Sequence, residues 1–157
     1  MKKILTIAGV LSASVIASHA SVVWTGATNN DFYNDANWDF SGAVNGTTAI
    51  NPSTDINEDL VISGAAGLTG GGRLDLGAGY SITLTNSSFA PNSGVNGVVD
   101  GDPSNSVLNV LGGSSMTSTW LTEGMTLNVD GTSSYTLRGA GDPINSQSEK
   151  TTINLIP

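Results

Sequence analysis

The segment LNVDGTSSY, residues 127–135, decides the fold, because two other segments of the chain repeat its order. They are LNVLGGSSM at residues 108–116 and ITLTNSSF at residues 82–89. Each starts with an aliphatic–polar–aliphatic triplet, passes through a short polar turn and ends on two serines and a large side chain. These large side chains, Phe89, Met116 and Tyr135, are 27 and 19 residues apart. Such spacing is typical of the coils of a solenoid.

Short aliphatic runs recur along the rest of the chain as well. In a strand, alternation places the two aliphatic side chains of a triplet on one face and the polar side chain on the other. After residue 20 no segment has apolar residues at helical spacing over three turns, so we predict an all-β protein. The runs begin at Leu60, Leu74, Ile82, Leu108, Leu127 and Ile153.

A short right-handed parallel β-helix explains the triplets and the turns together. Inward aliphatic side chains would stack on the next coil about 4.8 Å away, while Asn, Ser and Thr would hydrogen-bond between coils. The GDP segments at 101–103 and 141–143 are predicted to form corners, because a residue before proline avoids helical backbone. A β-sandwich of antiparallel strands is the alternative, since a sequence pattern fixes the existence of strands better than their pairing.

The first 20 residues have the pattern of a bacterial secretory signal peptide. Lys2 and Lys3 precede an apolar run at 4–16, and small residues flank His19. The run is shorter than the roughly 20 residues that a membrane-spanning helix needs. We therefore predict cleavage after Ala20, secretion or cell-surface residence, and no membrane segment in the mature chain.

Removal of this segment excludes several classes of function. The formal net charge changes from −8 to −10 because two lysines leave and no acid does, and the mature chain has neither histidine nor cysteine. This excludes Ser-His-Asp and Cys-His nucleophiles, zinc sites built on His or Cys, haem ligation and disulfides. Three cations remain, Arg73, Arg138 and Lys150, so binding to nucleic acid or an anionic membrane is electrostatically opposed.

Residues 21–57 are unusually rich in aromatic side chains, with Asn and Asp between them. An open solenoid end exposes core and unpaired strand edges, so we predict that this segment caps the solenoid formed by residues 58–157. The functional alternative is a carbohydrate-binding platform on which Trp24, Tyr33 and Trp38 stack against a neutral polysaccharide.

The same segment resembles a known family. Its residues Trp24-Thr25-Gly26, Asn37-Trp38 and Asp59-Leu60-Val61-Ile62 are similar to the pattern that opens many secreted bacterial proteins with autotransporter-associated β-strand repeats and PEP-CTERM sorting signals. The resemblance covers residues 22–63 and implies an exported β-helical protein of the cell surface or the exopolysaccharide matrix, with no catalytic residues. The family's C-terminal sorting signal is missing, and the chain stops inside an apparent strand. We therefore expect a fragment of a longer protein or a truncated gene product.

Two groups of oxygen ligands are candidate Ca²⁺ sites. Asp35, Asn37 and Asp39 have the 1, 3, 5 spacing of an EF-hand loop, but Phe40 and Gly46 stand where that loop needs Gly and Glu. A looser site could use these three residues, or Asp100 and Asp102. The alternative is that all five residues build turns.

Because the mature chain has neither histidine nor cysteine, catalysis would need a pair of carboxylates, as in glycosidases. Asp100 and Asp102, with Arg138 nearby if the two GDP corners stack, form the best candidate. Two acids flanking a glycine are also what a surface turn shows, so we predict no enzyme activity. The sequence favours a non-catalytic secreted structural or adhesive module that contacts neutral polysaccharide or other surface proteins. The alternative is a carbohydrate-binding or carbohydrate-cleaving β-helix.

Overall fold

The computed structural model describes residues 21–52, 54–91, 95–97, 105–118, 121–122, 125–137 and 152–157. This part of the chain contains fifteen strands and one short 3-10 helix, Asp35–Asn37. The strands are β1 (Ser21–Trp24), β2 (Trp38–Asp39), β3 (Asp55–Ile56), β4 (Asp59–Ser63), β5 (Leu68–Gly70), β6 (Leu74–Leu76), β7 (Ser81–Thr85), β8 (Ser88–Pro91), β9 (Val95–Gly97), β10 (Val107–Leu111), β11 (Ser115–Ser118), β12 (Leu121–Thr122), β13 (Thr126–Asp130), β14 (Ser134–Leu137) and β15 (Thr152–Ile156).

The strands form three sheets that run side by side. Sheet A has the order β15-β13-β10-β7-β4-β1-β2, sheet B the order β14-β11-β8-β5, and sheet C the order β12-β9-β6-β3. From β3 to β14 the chain visits sheets C, A and B in turn, four times. Neighbouring coils pair in parallel, and in the described chain only β1 and β2 pair antiparallel. The fold is therefore the predicted parallel β-solenoid and not the β-sandwich, while its right-handed sense stays a prediction favoured by the hand of parallel crossovers.

The register of the sheets confirms the repeat in the sequence. In sheet A, Leu108 pairs with Ile82 on one side and with Leu127 on the other. In sheet B, Met116 lies between Phe89 and Tyr135. The three large residues that mark the repeat in the sequence are thus stacked on one another in three successive coils.

Alternating burial along the strands builds the core. In β4, β7, β10 and β13 the first and third residues of each triplet are aliphatic and buried, and the residue between them, which is Val61 in β4 and polar in the other three, is half-buried. This confirms the predicted alternation for these four strands. Strand β6 differs, because Asp75 is buried between Leu74 and Leu76.

The paired serines of the repeat explain how coils are joined at the corner between sheets A and B. The backbone N–H of Ala65 donates to Oγ of Ser87, that of Ser87 to Oγ of Ser114, and that of Ser114 to Oγ of Ser133, at 3.0–3.1 Å. Each hydroxyl thereby satisfies a backbone donor of the preceding coil, at a bend where strand pairing cannot do so.

A second row of bonds, the asparagine ladder, runs across the outer face of sheet A. Nδ2 of Asn109 donates to Oγ1 of Thr83 at 3.0 Å, Nδ2 of Asn128 to Oδ1 of Asn109 at 2.7 Å, and Nδ2 of Asn154 to Oδ1 of Asn128 at 2.8 Å. All donors point towards the N-terminal coils. The polar residues of the triplets therefore bond between coils, as the sequence pattern predicts.

The N-terminal segment completes the first coils. Strand β1 pairs in parallel with β4, and Asp31 forms a parallel bridge with Thr69 at the edge of sheet B. The antiparallel strand β2 then covers the outer edge of β1. The segment 21–57 therefore contributes strands to the solenoid while its antiparallel strand covers one end of sheet A.

Candidate functional site

The N-terminal aromatic residues form a packed cluster. Trp24 and Trp38 meet edge to face with ring centroids 5.1 Å apart, and Phe32 meets Trp38 in the same way at 5.2 Å. Phe32 also stacks on Phe89 of β8 with ring centroids 4.8 Å apart, which ties the segment to the second strand of sheet B. Such edge-to-face and stacked pairs add stability beyond the burial of their area.

Burial decides what these rings can contact. Trp24 is 8% exposed and Trp38 is 6% exposed. Nε1 of Trp38 also donates to the backbone carbonyl of Phe32 at 2.8 Å, so the polar end of this indole is satisfied inside the protein. Stacking on a sugar needs an open ring face, which these two residues do not offer in this arrangement. Of the three candidate carbohydrate contacts, Tyr33 is half-buried and lies nearest to solvent.

Asn37 organises the loop between the aromatic residues. Its side chain is fully buried, and its Oδ1 accepts hydrogen bonds from the backbone N–H of Thr28 at 2.8 Å and of Asn29 at 3.1 Å. Its Nδ2 donates to Oδ1 of Asn29 and to the carbonyl of Asp31. Because both lone-pair directions of Oδ1 are occupied, this oxygen holds the loop and is not open to a cation.

The two acids of the candidate Ca²⁺ site also bond to backbone. Oδ1 of Asp35 accepts from the N–H of Ile50, and Oδ1 of Asp39 accepts from the N–H of Ser41, both at 2.9 Å. The bonds from Ser41 lower the pKa of the exposed Asp39 carboxyl below its ordinary value. These contacts are those of turn-building acids. In the described ranges no group of three or more His, Cys, Asp and Glu side chains is arranged to hold a metal ion.

The second candidate group lies outside the described residues. Asp100, Asp102 and Arg138, proposed as a Ca²⁺ site and as a carboxylate pair with a nearby cation, all fall in the gaps. Both assignments therefore stay predictions from the sequence.

A cluster that the sequence pattern did not indicate joins Tyr33, Arg73 and Asp75. Nε of Arg73 lies 2.6 Å from Oδ1 of Asp75, whose side chain is only 2% exposed. The hydroxyl of Tyr33 donates to the backbone carbonyl of Arg73 at 3.1 Å. Burial, with smaller contributions from the charges of Asp75 and Asp31, raises the pKa of Tyr33 to about 12. Tyr33 is therefore a hydrogen-bond donor at neutral pH and not a general base.

The alternation in β6 does not predict the burial of Asp75. Alternation predicts an accessible polar side chain between Leu74 and Leu76, whereas all three residues are buried. The ion pair with Arg73 compensates the buried carboxylate, because a buried charge needs a partner. The signal that the sequence contains is the spacing of Arg73 two residues before Asp75, since residues two apart in extended backbone point to the same side and can pair.

Glu58 was also missed, and it fixes a neighbouring loop. Its fully buried carboxylate accepts from the N–H of Val44 at 2.9 Å and of Asn45 at 2.7 Å. Burial alone would raise the pKa of this carboxyl, but the hydrogen bonds from Val44, Asn45 and Thr47 outweigh burial and lower it. The ionised carboxylate thus acts as a structural clamp for residues 44–47.

Comparisons of the chain with models of known protein families, with curated proteins and with solved structures gave no match. The resemblance of residues 22–63 to proteins with autotransporter-associated repeats and PEP-CTERM signals stays a prediction. No helix among the described residues is long and apolar enough to cross a membrane.

Proposed function

We propose that this protein is a non-catalytic structural module of the bacterial cell surface or extracellular matrix. The observation that carries the proposal is the way its polar side chains are used. At the corner between sheets A and B, serine hydroxyls accept hydrogen bonds from backbone N–H groups of the preceding coil, and the asparagine ladder joins side chains of successive coils, so these polar groups build the solenoid. A solenoid of this kind provides a stiff, extended surface.

The acids near the N-terminal end support the same interpretation. Asp35, Asp39 and Glu58 each accept hydrogen bonds from the protein's own backbone, and Asp75 pairs with Arg73. These carboxylates stabilise loops and a strand. Export to the surface rests on the signal-peptide pattern of residues 1–20, which lie outside the described structure.

The location can be tested by expressing residues 1–157 in a Gram-negative host and sequencing the N-terminus of the recovered protein. We expect protein that begins at Ser21, outside the cytoplasm. Protein retained in the cytoplasm with Met1 intact would contradict the proposed export.

The non-catalytic role is tested with neutral polysaccharides. We expect the purified mature protein to release no reducing ends from a panel of them. Release of reducing ends, abolished by Asp100→Asn or Asp102→Asn, would establish the carbohydrate-cleaving alternative instead. Retention on a polysaccharide column that Tyr33→Ala abolishes would establish the carbohydrate-binding alternative at the one candidate aromatic residue that is half-buried.

A further inference from the structure

The loop 44–47 contains one of the two Asn-Gly pairs of the chain, Asn45-Gly46. An Asn before Gly is chemically labile, because glycine has no side chain that keeps its backbone nitrogen away from the preceding amide carbon. Both residues are exposed. Gly46 has a φ of 70°, and no atom lies within 4 Å of the position that a Cβ would take. The surroundings of Gly46 therefore leave room for its nitrogen to approach the side chain of Asn45.

The backbone N–H of Gly46 is the one that the Glu58 clamp leaves out. The carboxylate of Glu58 accepts hydrogen bonds from the backbone N–H groups of Val44, Asn45 and Thr47. Among the described residues, none accepts a hydrogen bond from the N–H of Gly46. An N–H without an acceptor loses its proton to solvent more readily than one that a carboxylate holds. The nitrogen that must react is thus the one in this loop that the clamp does not hold.

We propose that Asn45 is a site of spontaneous covalent modification, at which the side-chain amide is replaced by a carboxylate. The deprotonated backbone nitrogen of Gly46 attacks Cγ of Asn45, the bond from Cγ to Nδ2 breaks, and protons from water convert the leaving group to ammonia. Water then opens the five-membered imide ring at one of its two carbonyl carbons. The products are Asp, or isoAsp in which the main chain runs through the former side chain.

The amide that is lost attaches the loop to the solenoid. Its Nδ2 donates to the backbone carbonyl of Asn57 and to the hydroxyl of Tyr80, the latter at 2.9 Å. A carboxylate oxygen in its place would face the carbonyl oxygen of Asn57 with no proton to share. It would also add a negative charge beside the carboxylate of Glu58. The modification therefore weakens the attachment of residues 44–47.

The isoAsp product has the larger effect, because it inserts one carbon atom into the main chain between positions 45 and 46. The clamp spans this point, since Glu58 accepts from the N–H of Asn45 on one side and from that of Thr47 on the other. With the longer main chain, one carboxylate no longer reaches both groups in the original geometry. The modification is thus a time-dependent loosening of the N-terminal segment, and it acts independently of what the solenoid binds.

The second Asn-Gly pair of the chain, Asn96-Gly97, provides an internal control. Asn96 lies in β9 and pairs with Asp75 of β6 on one side and with Thr122 of β12 on the other. Pairing on both sides holds the backbone extended, so the ring can form only after local opening of the sheet. The same two residues are therefore expected to react about tenfold or more slowly in β9 than in the loop.

The test is peptide mapping by mass spectrometry of the purified mature protein after incubation in mildly alkaline buffer. We expect Asp and isoAsp to accumulate at position 45 about tenfold or more faster than at position 96. Hydrogen exchange of the amides of Val44 and Thr47 should accelerate in parallel by about tenfold. Asn45→Gln keeps a side-chain amide but needs a larger ring for the same reaction, so its loop should not loosen with time.

Two further variants separate the position of the new charge from its sign. Asn45→Asp carries the carboxylate from the start, so the amides of Val44 and Thr47 should exchange about tenfold faster before any incubation. Asn51→Asp adds the same charge at another exposed Asn and should exchange like the unmodified protein.

Four outcomes would overturn the proposal. The first two are an intact Asn45 after prolonged incubation and equal rates of reaction at positions 45 and 96. The third is unchanged exchange of the loop amides in the incubated protein and in Asn45→Asp. The fourth is a loosening of the loop that proceeds equally in Asn45→Gln, because this result would assign the effect to damage elsewhere in the chain.

Discussion

The clamp formed by Glu58 gives a prediction that follows closely from the geometry. Its two carboxylate oxygens accept from the N–H groups of Val44 and Asn45, and the side chain is fully buried. Glu58→Gln keeps the size of the side chain but replaces one acceptor oxygen by an NH₂ donor. One of the two backbone N–H groups then faces a donor and loses its partner.

The expected loss of stability is the sum of two effects. A buried N–H without an acceptor costs about 1–3 kcal/mol, and the remaining bond loses about 1 kcal/mol because its acceptor is no longer charged. We therefore expect Glu58→Gln to lower the free energy of unfolding by about 2–4 kcal/mol at pH 7. Urea unfolding of the mature protein, followed by tryptophan fluorescence, measures this difference.

A matched variant controls for the change in net charge. Asp55→Asn also removes one negative charge, but at an exposed position, so its stability should stay within about 0.5 kcal/mol of the unmodified protein. If Glu58→Gln and Asp55→Asn unfold at the same urea concentration with the same slope, the clamp does not stabilise the fold and the reasoning is refuted.

The pH dependence gives an independent check of the same clamp. The folded protein lowers the pKa of Glu58 below its ordinary value of 4.5, so the stabilisation is fully present above pH 4.5 and is lost as the pH falls through the folded pKa. The difference in stability between the unmodified protein and Glu58→Gln should therefore shrink below pH 4.5. A difference that grows on acidification would have the wrong sign.

Three further predictions, two substitutions and one titration, test other parts of the structure. Trp38→Phe removes the donor to a buried carbonyl and should destabilise the protein by about 1–3 kcal/mol in urea unfolding; unchanged stability would contradict the buried position of the indole. Ser114→Ala leaves the N–H of Ser87 without its acceptor and should also cost about 1–3 kcal/mol, whereas Ala at the adjacent exposed Ser115 should change stability by less than about 0.5 kcal/mol, and equal effects would refute the serine corner. The carboxyl of Asp130 should titrate near pH 2 in a ¹³C NMR experiment, because hydrogen bonds from Gly112 and from the turn after β13 lower its pKa from 3.8 to about 2, so its contribution to stability is present above pH 3.8 and is lost towards pH 2; a midpoint at 3.8 would contradict those bonds.

The stacking of the coils could be predicted from the sequence because two independent features recur in each repeat. The triplets at Ile82, Leu108 and Leu127 set the inward face, and the large residues after each serine pair set a second position. In a parallel solenoid, the triplets of successive coils must pair with one another, and so must the large residues. The observed strand register aligns both sets in this way.

The contacts of single polar groups could not be predicted in the same way. Whether the hydroxyl of Ser114 meets the N–H of Ser87 depends on the offset between stacked coils, which the sequence does not encode locally. Trp24 and Trp38 are suited both to a core and to a sugar platform. Only the structure, in which Trp38 packs against Trp24 and Phe32, distinguishes the core from the platform. No residue next to Glu58 in the sequence indicates its partners, because they lie 13 and 14 residues away.

The central claim is that successive coils pair in parallel, and NMR contacts between strands test it most directly. The parallel register predicts nuclear Overhauser contacts that connect the start of β10 at Val107 with the start of β7 at Ser81, and its end at Leu111 with Thr85. Contacts of Val107 with Thr85 and of Leu111 with Ser81 would instead show an antiparallel pair and contradict the solenoid.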